Sequence, residues 1–437
     1  MKKTKKWKLY LLYPILTLCS IMLIIIAYKL NQSTVTLTEN GVYKTLHVPI
    51  KNKFIDINVN LAGAADKPKF DPNFMQGPIV QYTNKETLNV HWFSQGKHHK
   101  KEYDTSIDSF SITIGEDNHN FILPEISTPS TVIKTTPNKV AFISDIHGDY
   151  KYMNKVLQSL NVIDSLGNWN FSNNHLVITG DMVDRGTAVD QVLWKIVLLS
   201  EQAKLAGGMV HYIIGNHEQY MLKGNFSRVH PKNLYATQQM MSFKNAYSNK
   251  TYLGKWLRTR PVLLKIGNSL IAHGGVSPKT AEKNYTIQQI NQAMWDYWND
   301  KPLEDDLKEI ILGKTGVTHY RGYIRLNDEV KKASLDQVQN ILESYNASRV
   351  IVGHTNVEAI KPLFEGKVYD INAIETSPQA LILENNQPKI VNIGLLKQDE
   401  LDQTYHRSFS LLKTNDLKMV TSTIHNIIKL SMIPHPY

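Results

Sequence analysis

Five short apolar runs in this chain each end on a cluster of acids, amides or histidines, and this constrains the fold more than any other feature. VAFIS (140–144) leads into Asp145-Ile146-His147-Gly148-Asp149, and LVIT (176–179) leads into Gly180-Asp181-Met182-Val183-Asp184-Arg185-Gly186. VHYII (210–214) leads into Gly215-Asn216-His217-Glu218, LIA (270–272) into His273-Gly274-Gly275, and RVIV (349–352) into Gly353-His354-Thr355. Short runs without polar alternation predict strands buried on both faces. Between them, Val189, Val192, Leu193, Ile196, Val197 and Leu199 recur at helical spacing, as do Leu335, Val338, Ile341 and Leu342. Strands alternating with helices predict an α/β layer, whose sites lie beyond the carboxyl ends of its strands.

The rest of the chain has a different character. The 437 residues carry a net charge of +10, but residues 1–30 contain six lysines and no acid. The remaining excess is too small to predict nucleic acid as a partner. The single cysteine, Cys19, excludes an intrachain disulfide and a cysteine-based zinc site. Leu9 to Tyr28 holds no charged residue. It is long enough to cross a bilayer as a helix, and the preceding lysines predict a cytoplasmic N-terminus. The expectation is a single-pass, uncleaved signal-anchor over 1–30, with the catalytic body extracytoplasmic (periplasmic in a bacterium). A cleaved signal peptide is the alternative.

Residues 31–135 read as a small β-rich accessory domain followed by a linker. Ile55, Ile57, Val59 and Leu61 alternate with polar residues, as do Leu88, Val90 and Trp92, and Phe110, Ile112 and Ile114. Such alternation predicts strands with one wet face. Asn40-Gly41 is a hairpin signal, Lys97–Lys101 (KHHKK) reads as a solvated loop, and 127–139 reads as the linker. The catalytic domain is expected over 136–395, and a helical extension over 396–437.

One Asp-x-His or Asn-His after a strand is ordinarily a turn or a cap. Five polar clusters in the same strand-end position point to a shared site. Carboxylates, imidazoles and an amide without thiolate suit Mn²⁺ first, with Fe or Zn²⁺ as alternatives. Asp145 and His147 can reach one ion, and Asp181 can bridge two. Asn216, His273 and His354 would complete the second position. Two such ions activate a shared water and polarise a phosphoryl oxygen. Arg185 offers a planar fork for phosphate oxygens. His217, oriented by Asp184, can protonate the leaving oxygen.

The ordered set D-x-H-G, G-D-x-V-D-R-G, G-N-H-E, H-G-G and G-H-T resembles that of the calcineurin-like metallophosphoesterases. The D-R-G and N-H-E forms resemble the phosphoprotein phosphatase branch, nearest its Shewanella-like and diadenosine-tetraphosphatase-like bacterial members. The resemblance covers about 140–395 and implies two mixed β-sheets packed face to face between helices. It implies Asp145, His147 and Asp181 at one metal, and Asp181, Asn216, His273 and His354 at the other. It implies His217 with Asp184 as the general-acid pair, Arg185 as a phosphate clamp, and Arg321 in His319-Tyr320-Arg321-Gly322-Tyr323 as a second clamp. Two departures stand out. The S-A-P-N-Y signature of the eukaryotic Ser/Thr enzymes is absent, and Ile371-Asn372-Ala373 stands where many relatives have I-D-x-G.

The expected activity is phosphomonoester hydrolysis on a phosphoprotein or phosphopeptide, with a small phosphoester as the other substrate. The residue type is open among tyrosine, serine and threonine. Hydrolysis of a nucleotide or dinucleoside polyphosphate is the enzymatic alternative, and a membrane-tethered binding module with an inactive site is the non-enzymatic one. The intervals between motifs hold Tyr220, Phe226, Tyr235, Tyr247, Trp256, Trp295, Tyr297, Trp298 and Tyr320. These could form an aromatic wall for a phosphotyrosine ring or a nucleobase, or simply fill the core.

Overall fold

The computed structural model describes residues 4–38, 43–51, 56–64, 70, 72–325, 330–374, 378–394, 404–414, 416–418, 420–421 and 424–425. The chain forms two compact units, one from Met1–Asp71 with Asp399–Met432, and the other chiefly Pro72–Gln398. In the first unit, the helix Thr4–Asn31 precedes a four-stranded antiparallel sheet. Its strand order is Thr404–Ser408, Thr34–Thr38, Tyr43–Lys51, Asp56–Ala64. Val35, Leu46 and Phe409 form its small core. Residues 396–437 are thus not simply a helical extension, because 404–408 completes a sheet begun near the N-terminus. The Asn40-Gly41 turn lies outside the described residues.

On the first helix, the side chains of Leu16, Leu18 and residues 21–26 are exposed. Among the described residues, no helix is long and apolar enough to cross a membrane. The transmembrane reading is therefore unsupported by the fold and rests on sequence alone. The side chains of residues 4–12, where the apolar run begins, lie outside the described set.

The second unit contains two five-stranded mixed sheets. The first runs Met209–Tyr212, His175–Ile178, Lys139–Ile143, Gln379–Glu384, Gln387–Asn392. Its first three strands are mutually parallel and its last two antiparallel. The second sheet runs Val368–Asp370, Arg349–Val352, Ser269–Ala272, Leu263–Ile266, Val132–Ile133. The unbroken apolar runs reflect burial on both faces. Val140, Phe142, Val177, Ile213, Leu264, Ile271 and Ile351 share one core with residues of both sheets. Their neighbours Ala141, Ile143, Leu176, Ile178, Leu270 and Val350 pack into the larger core with the helices. Tyr150–Ser159 and Val189–Leu205 contribute Met153, Val156, Val192 and Ile196 to that core. Asp149 caps the first of these helices by accepting the Tyr152 N–H at 2.8 Å.

Residues 31–135 are strand-rich, but they divide between the two units. Met75–Tyr82, Thr87–Ser94 and Lys97–Asp104 form an antiparallel sheet in the second unit, and Ser109–Ile114 pairs with Asp117–Ile122 as a hairpin. The hairpin strand Ser109–Ile114 has the expected wet face. Thr87–Ser94 does not, because Phe93 meets Tyr235 on one side while Val90 and Trp92 enter the core on the other. KHHKK is not a loop. It opens a solvated edge strand, where lysines discourage pairing with another chain. The expected linker supplies Val132–Ile133 to the second sheet.

A buried carboxylate fastens the three-stranded sheet to the α/β layer. Asp190 accepts hydrogen bonds from Gln76 Nε2 (2.6 Å), the Gly77 N–H (2.8 Å) and the Tyr247 hydroxyl (2.8 Å). Burial pushes its carboxyl up to about 6. Trp194 Nε1 donates to the Pro78 carbonyl at 2.9 Å.

Candidate active site

The five polar clusters converge because their strands are adjacent within the two facing sheets. The connecting backbone is forced into unusual conformations to achieve this. Asp145, His147, Asp181, Asp184, Arg185 and His354 all have φ between 48° and 67°. Such left-handed geometry costs on the order of 1–3 kcal/mol per residue and concentrates at functional sites. Gly180 illustrates the crowding, since at φ 92° a Cβ there would lie 2.6 Å from the Gly215 nitrogen.

Asp181 is the centre of the arrangement. Its Oδ1 accepts the His217 N–H at 3.0 Å, and its Oδ2 lies 3.1 Å from His273 Nε2. Asn216 Oδ1 is also 3.1 Å from His273 Nε2. Single ligand atoms of His147, Asp181 and His217 lie within 4.8 Å of one another, and so do those of Asp181, His273 and His354. Asp145 sits beside the first group, its Oδ1 4.0 Å from His147 Nε2. Its Oδ2 accepts from the Ser144 hydroxyl and, at 3.1 Å, from the His354 N–H.

Backbone carbonyls orient three of the rings. A carbonyl only accepts, so the ring nitrogen facing it carries the proton. His273 Nδ1 donates to Thr179 O (2.7 Å), His147 Nδ1 to Val183 O (2.9 Å), and His354 Nε2 to His319 O (3.2 Å). Each ring's other nitrogen is left to face the site. At His273 that nitrogen meets the oxygens of Asp181 and Asn216, so the cluster demands positive charge, from a proton or a metal cation. This donor set fits divalent metal ions.

The electrostatics agree. Burial alone would raise Asp181, but His273, His217 and His147 hold it well below the usual carboxylate range. Burial alone would lower His273, but Asp181 raises it to about 9. A metal at His273 Nε2 therefore has to compete with a proton. His217 is raised despite its burial, through Asp181 and its bond to Asp184. Burial, with His273 and Arg321 nearby, holds His354 well below the ordinary histidine range.

His217 Nδ1 lies 2.8 Å from Asp184 Oδ2, as the sequence predicts, and its Nε2 faces Asp181 Oδ2 at 3.9 Å. A cavity of about 570 Å³ opens above these groups, and Arg185 and Arg321 line it as expected. Among the described residues, no tyrosine, tryptophan or phenylalanine lines it. The aromatic wall is absent there because most of those rings fill the core, with Tyr247, Trp256, Trp298 and Tyr320 all buried. Tyr220 comes near, its ring centroid 5.5 Å from that of His217.

The calcineurin-like phosphoesterase family profile matches residues 138–358, half of the chain. The chain belongs to this family. Shewanella-like protein phosphatase 1 of Plasmodium berghei is 29% identical over 223 residues, covering 50% of this chain and 61% of that protein. The chain thus spans less than two thirds of that relative's length. The symmetrical bis(5'-nucleosyl)-tetraphosphatase of Edwardsiella ictaluri is 31% identical over 142 residues, 31% of this chain and 43% of that protein. Among solved structures, a cold-active protein-tyrosine phosphatase of a psychrophilic Shewanella species superposes with a TM-score of 0.66 at 28% identity. It covers 73% of this chain and 99% of its own.

Four further residues of this calcineurin-like phosphoesterase shape the site without having been singled out by sequence. Glu218 is fully buried, and its carboxylate accepts from the N–H groups of Asp181 (2.9 Å), Met182 (2.8 Å) and Gly215 (2.7 Å) and from the Tyr212 hydroxyl (2.9 Å). It ties two of the site loops together, and an acid directly after Asn216-His217 was the available signal. His319 supplies the carbonyl that orients His354. Asp370 ends its strand beneath the departure at 371–373, and burial holds its carboxyl well above the ordinary range. Its Oδ1 accepts the Asn372 N–H at 3.0 Å, and Asn372 lines the cavity. Arg325 lines the cavity as well.

Proposed function

We propose that this calcineurin-like phosphoesterase hydrolyses phosphomonoesters on proteins or peptides, using two divalent metal ions, Mn²⁺ foremost. The position of Asp181 carries the reading, because it belongs to both groups of converging ligand atoms. Asp145, His147 and Asp181 would hold one ion, and Asp181, Asn216, His273 and His354 the other. Bound there, the metal pair supplies an activated water nucleophile and polarises the phosphoryl group. Arg185 and Arg321 orient the phosphate through charge-assisted hydrogen bonds. Asp184 accepts from His217 Nδ1, which favours a proton on Nε2, and that proton passes to the departing oxygen. The Shewanella neighbour, named as a tyrosine phosphatase, supports phosphotyrosine as the first substrate to assay.

The Edwardsiella relative supports a second reading, hydrolysis of a dinucleoside polyphosphate. A panel of phosphotyrosyl and phosphoseryl peptides, nucleotides and diadenosine tetraphosphate, assayed with Mn²⁺, decides between them. The phosphopeptides are expected to give the higher kcat/KM. A clear preference for diadenosine tetraphosphate would establish the second reading, and no turnover of any ester would leave only a binding role.

We also propose that the N-terminal helix anchors the chain in a membrane with the catalytic unit extracytoplasmic. The support is the uncharged run Leu9–Tyr28 behind the lysine cluster. The protein should remain in the membrane fraction after an alkaline carbonate wash, and protease should digest the catalytic unit only from the outer face of that membrane. Release by the wash, or digestion only from the cytoplasmic face, would overturn the corresponding part.

A further inference from the structure

Arg325 lines the same cavity as Arg185 and Arg321, the two arginines assigned to the phosphate. Its N–H donates to the Arg321 carbonyl at 3.0 Å, so a single helical turn separates the two residues. Residues four apart on such a turn share a face, with Cβ atoms about 5–6 Å apart. Arg321 is the inner member, half-buried, with Nη1 donating to the His354 carbonyl at 2.9 Å. Arg325 is exposed, and no ion pair to a described acid involves it. The acids of the cavity, Asp145, Asp149 and Asp181, are engaged elsewhere. Asp145 and Asp181 belong to the metal-binding cluster, and Asp149 caps a helix. Two like charges on adjacent positions of one turn repel unless an anion lies between or beside them. Asn356 and Asn372, from two other loops, add amide groups to the cavity lining.

We infer that Arg325 forms a second anion subsite, selecting substrates with a negative group next to the scissile phosphoester. This rests on the phosphoesterase reading above and names the substrate class within it. The shared chemistry is a second anion one residue's length from the first. In a phosphopeptide it would be an aspartate or glutamate flanking the phosphorylated residue. In a nucleotide it would be the adjoining phosphate.

The test compares full-length wild type, Arg325→Gln and Arg325→Glu with Mn²⁺ on three probes. Two are phosphotyrosyl peptides that differ only by aspartate or asparagine beside the phosphotyrosine, and the third is a nucleoside diphosphate. Binding of the peptides is measured separately by fluorescence anisotropy with a non-hydrolysable phosphonate in place of the phosphoester. In wild type the aspartyl peptide should exceed the asparaginyl one in kcat/KM by about three- to tenfold, the range of a partly exposed arginine–carboxylate pair. The same ratio should appear in affinity and shrink at higher salt. In Arg325→Gln it should fall to about one, and in Arg325→Glu it should invert. If only the nucleoside diphosphate responds to these substitutions, the second anion is a phosphate. If wild type hydrolyses all probes with no preference, or the preference survives in Arg325→Glu, the subsite is absent while the phosphoesterase reading stands. If no probe is hydrolysed, the phosphoesterase reading and the subsite fall together.

Discussion

Asp181→Asn should reduce metal-dependent phosphatase activity by more than about 10³-fold while leaving the protein folded. The substitution is nearly isosteric, and the amide can keep its oxygen toward the His217 N–H, which it accepts in the native site at 3.0 Å. What it removes is the negative charge shared by both ligand groups. A neutral amide oxygen cannot stabilise two cations as a carboxylate does. It also removes the charge that raises His273, so that ring loses its main electrostatic partner. Metal content measured by mass spectrometry should fall together with kcat, and circular dichroism should remain that of the wild type. Chelation of the wild type should have the same kinetic effect, reversed by Mn²⁺. Wild-type activity that survives exhaustive chelation would falsify the dinuclear reading.

His217→Ala should behave differently, losing rate without losing metal. Geometry alone leaves His217 two roles, because its ring belongs to one of the groups of converging ligand atoms. Its Nδ1 is held by Asp184 at 2.8 Å, and its Nε2 stands 3.9 Å from Asp181 Oδ2. The directly preceding Asn216 already presents its oxygen toward His273 Nε2. With Asn216 as ligand, His217 is free to face the leaving oxygen. General acids contribute roughly 10²–10⁴-fold, most for poor leaving groups. Activity on phosphoserine should therefore drop by about that factor, and activity on p-nitrophenyl phosphate by much less. His273→Ala and His354→Ala should instead lose metal and slow both substrates together. Loss of metal in His217→Ala, or equal slowing of both substrates with metal retained, would assign His217 to the ligand set.

The contrast between these residues shows what a sequence makes legible. Asp145, His147, Asp181, Asn216, His273 and His354 could be picked out because each follows an apolar run at its strand end. The local chain direction decides where a strand-end loop sits. The helix Val189–Leu205 was legible for a similar reason, since its apolar spacing matches a helix packed on a sheet. The presence of Glu218 after His217 was legible, but its role was not, because that depends on N–H groups 36 and 37 residues earlier in the chain. Arg325 and Asp370 gave no signal, because each matters only through where the fold places it.

The errors have the same origin. The strand Thr87–Ser94 alternates as if one face were wet, but a distant helix brings Tyr235 against Phe93. Residues 127–139 have a linker's composition, yet Val132–Ile133 finds a free sheet edge at Leu263–Ile266. Residues 404–408 complete a sheet with 34–38, a pairing across the length of the chain that no local pattern records.

By itself the sequence determined the α/β layer, the order of its strands and helices, the donor chemistry and the apolar N-terminal run. These follow from side-chain periodicity and from residue type, which are properties of neighbours in the chain. Tertiary structure alone decided that Asp181 lies at the junction of two ligand groups and that carbonyls of Thr179, Val183 and His319 orient the rings. It also decided that the aromatic residues lie away from the cavity lining and that an exposed arginine, with no ion pair to a described acid, stands beside the phosphate clamp. Those facts depend on which distant segments meet, and burial and hydrogen bonding settle that only once both sheets have packed.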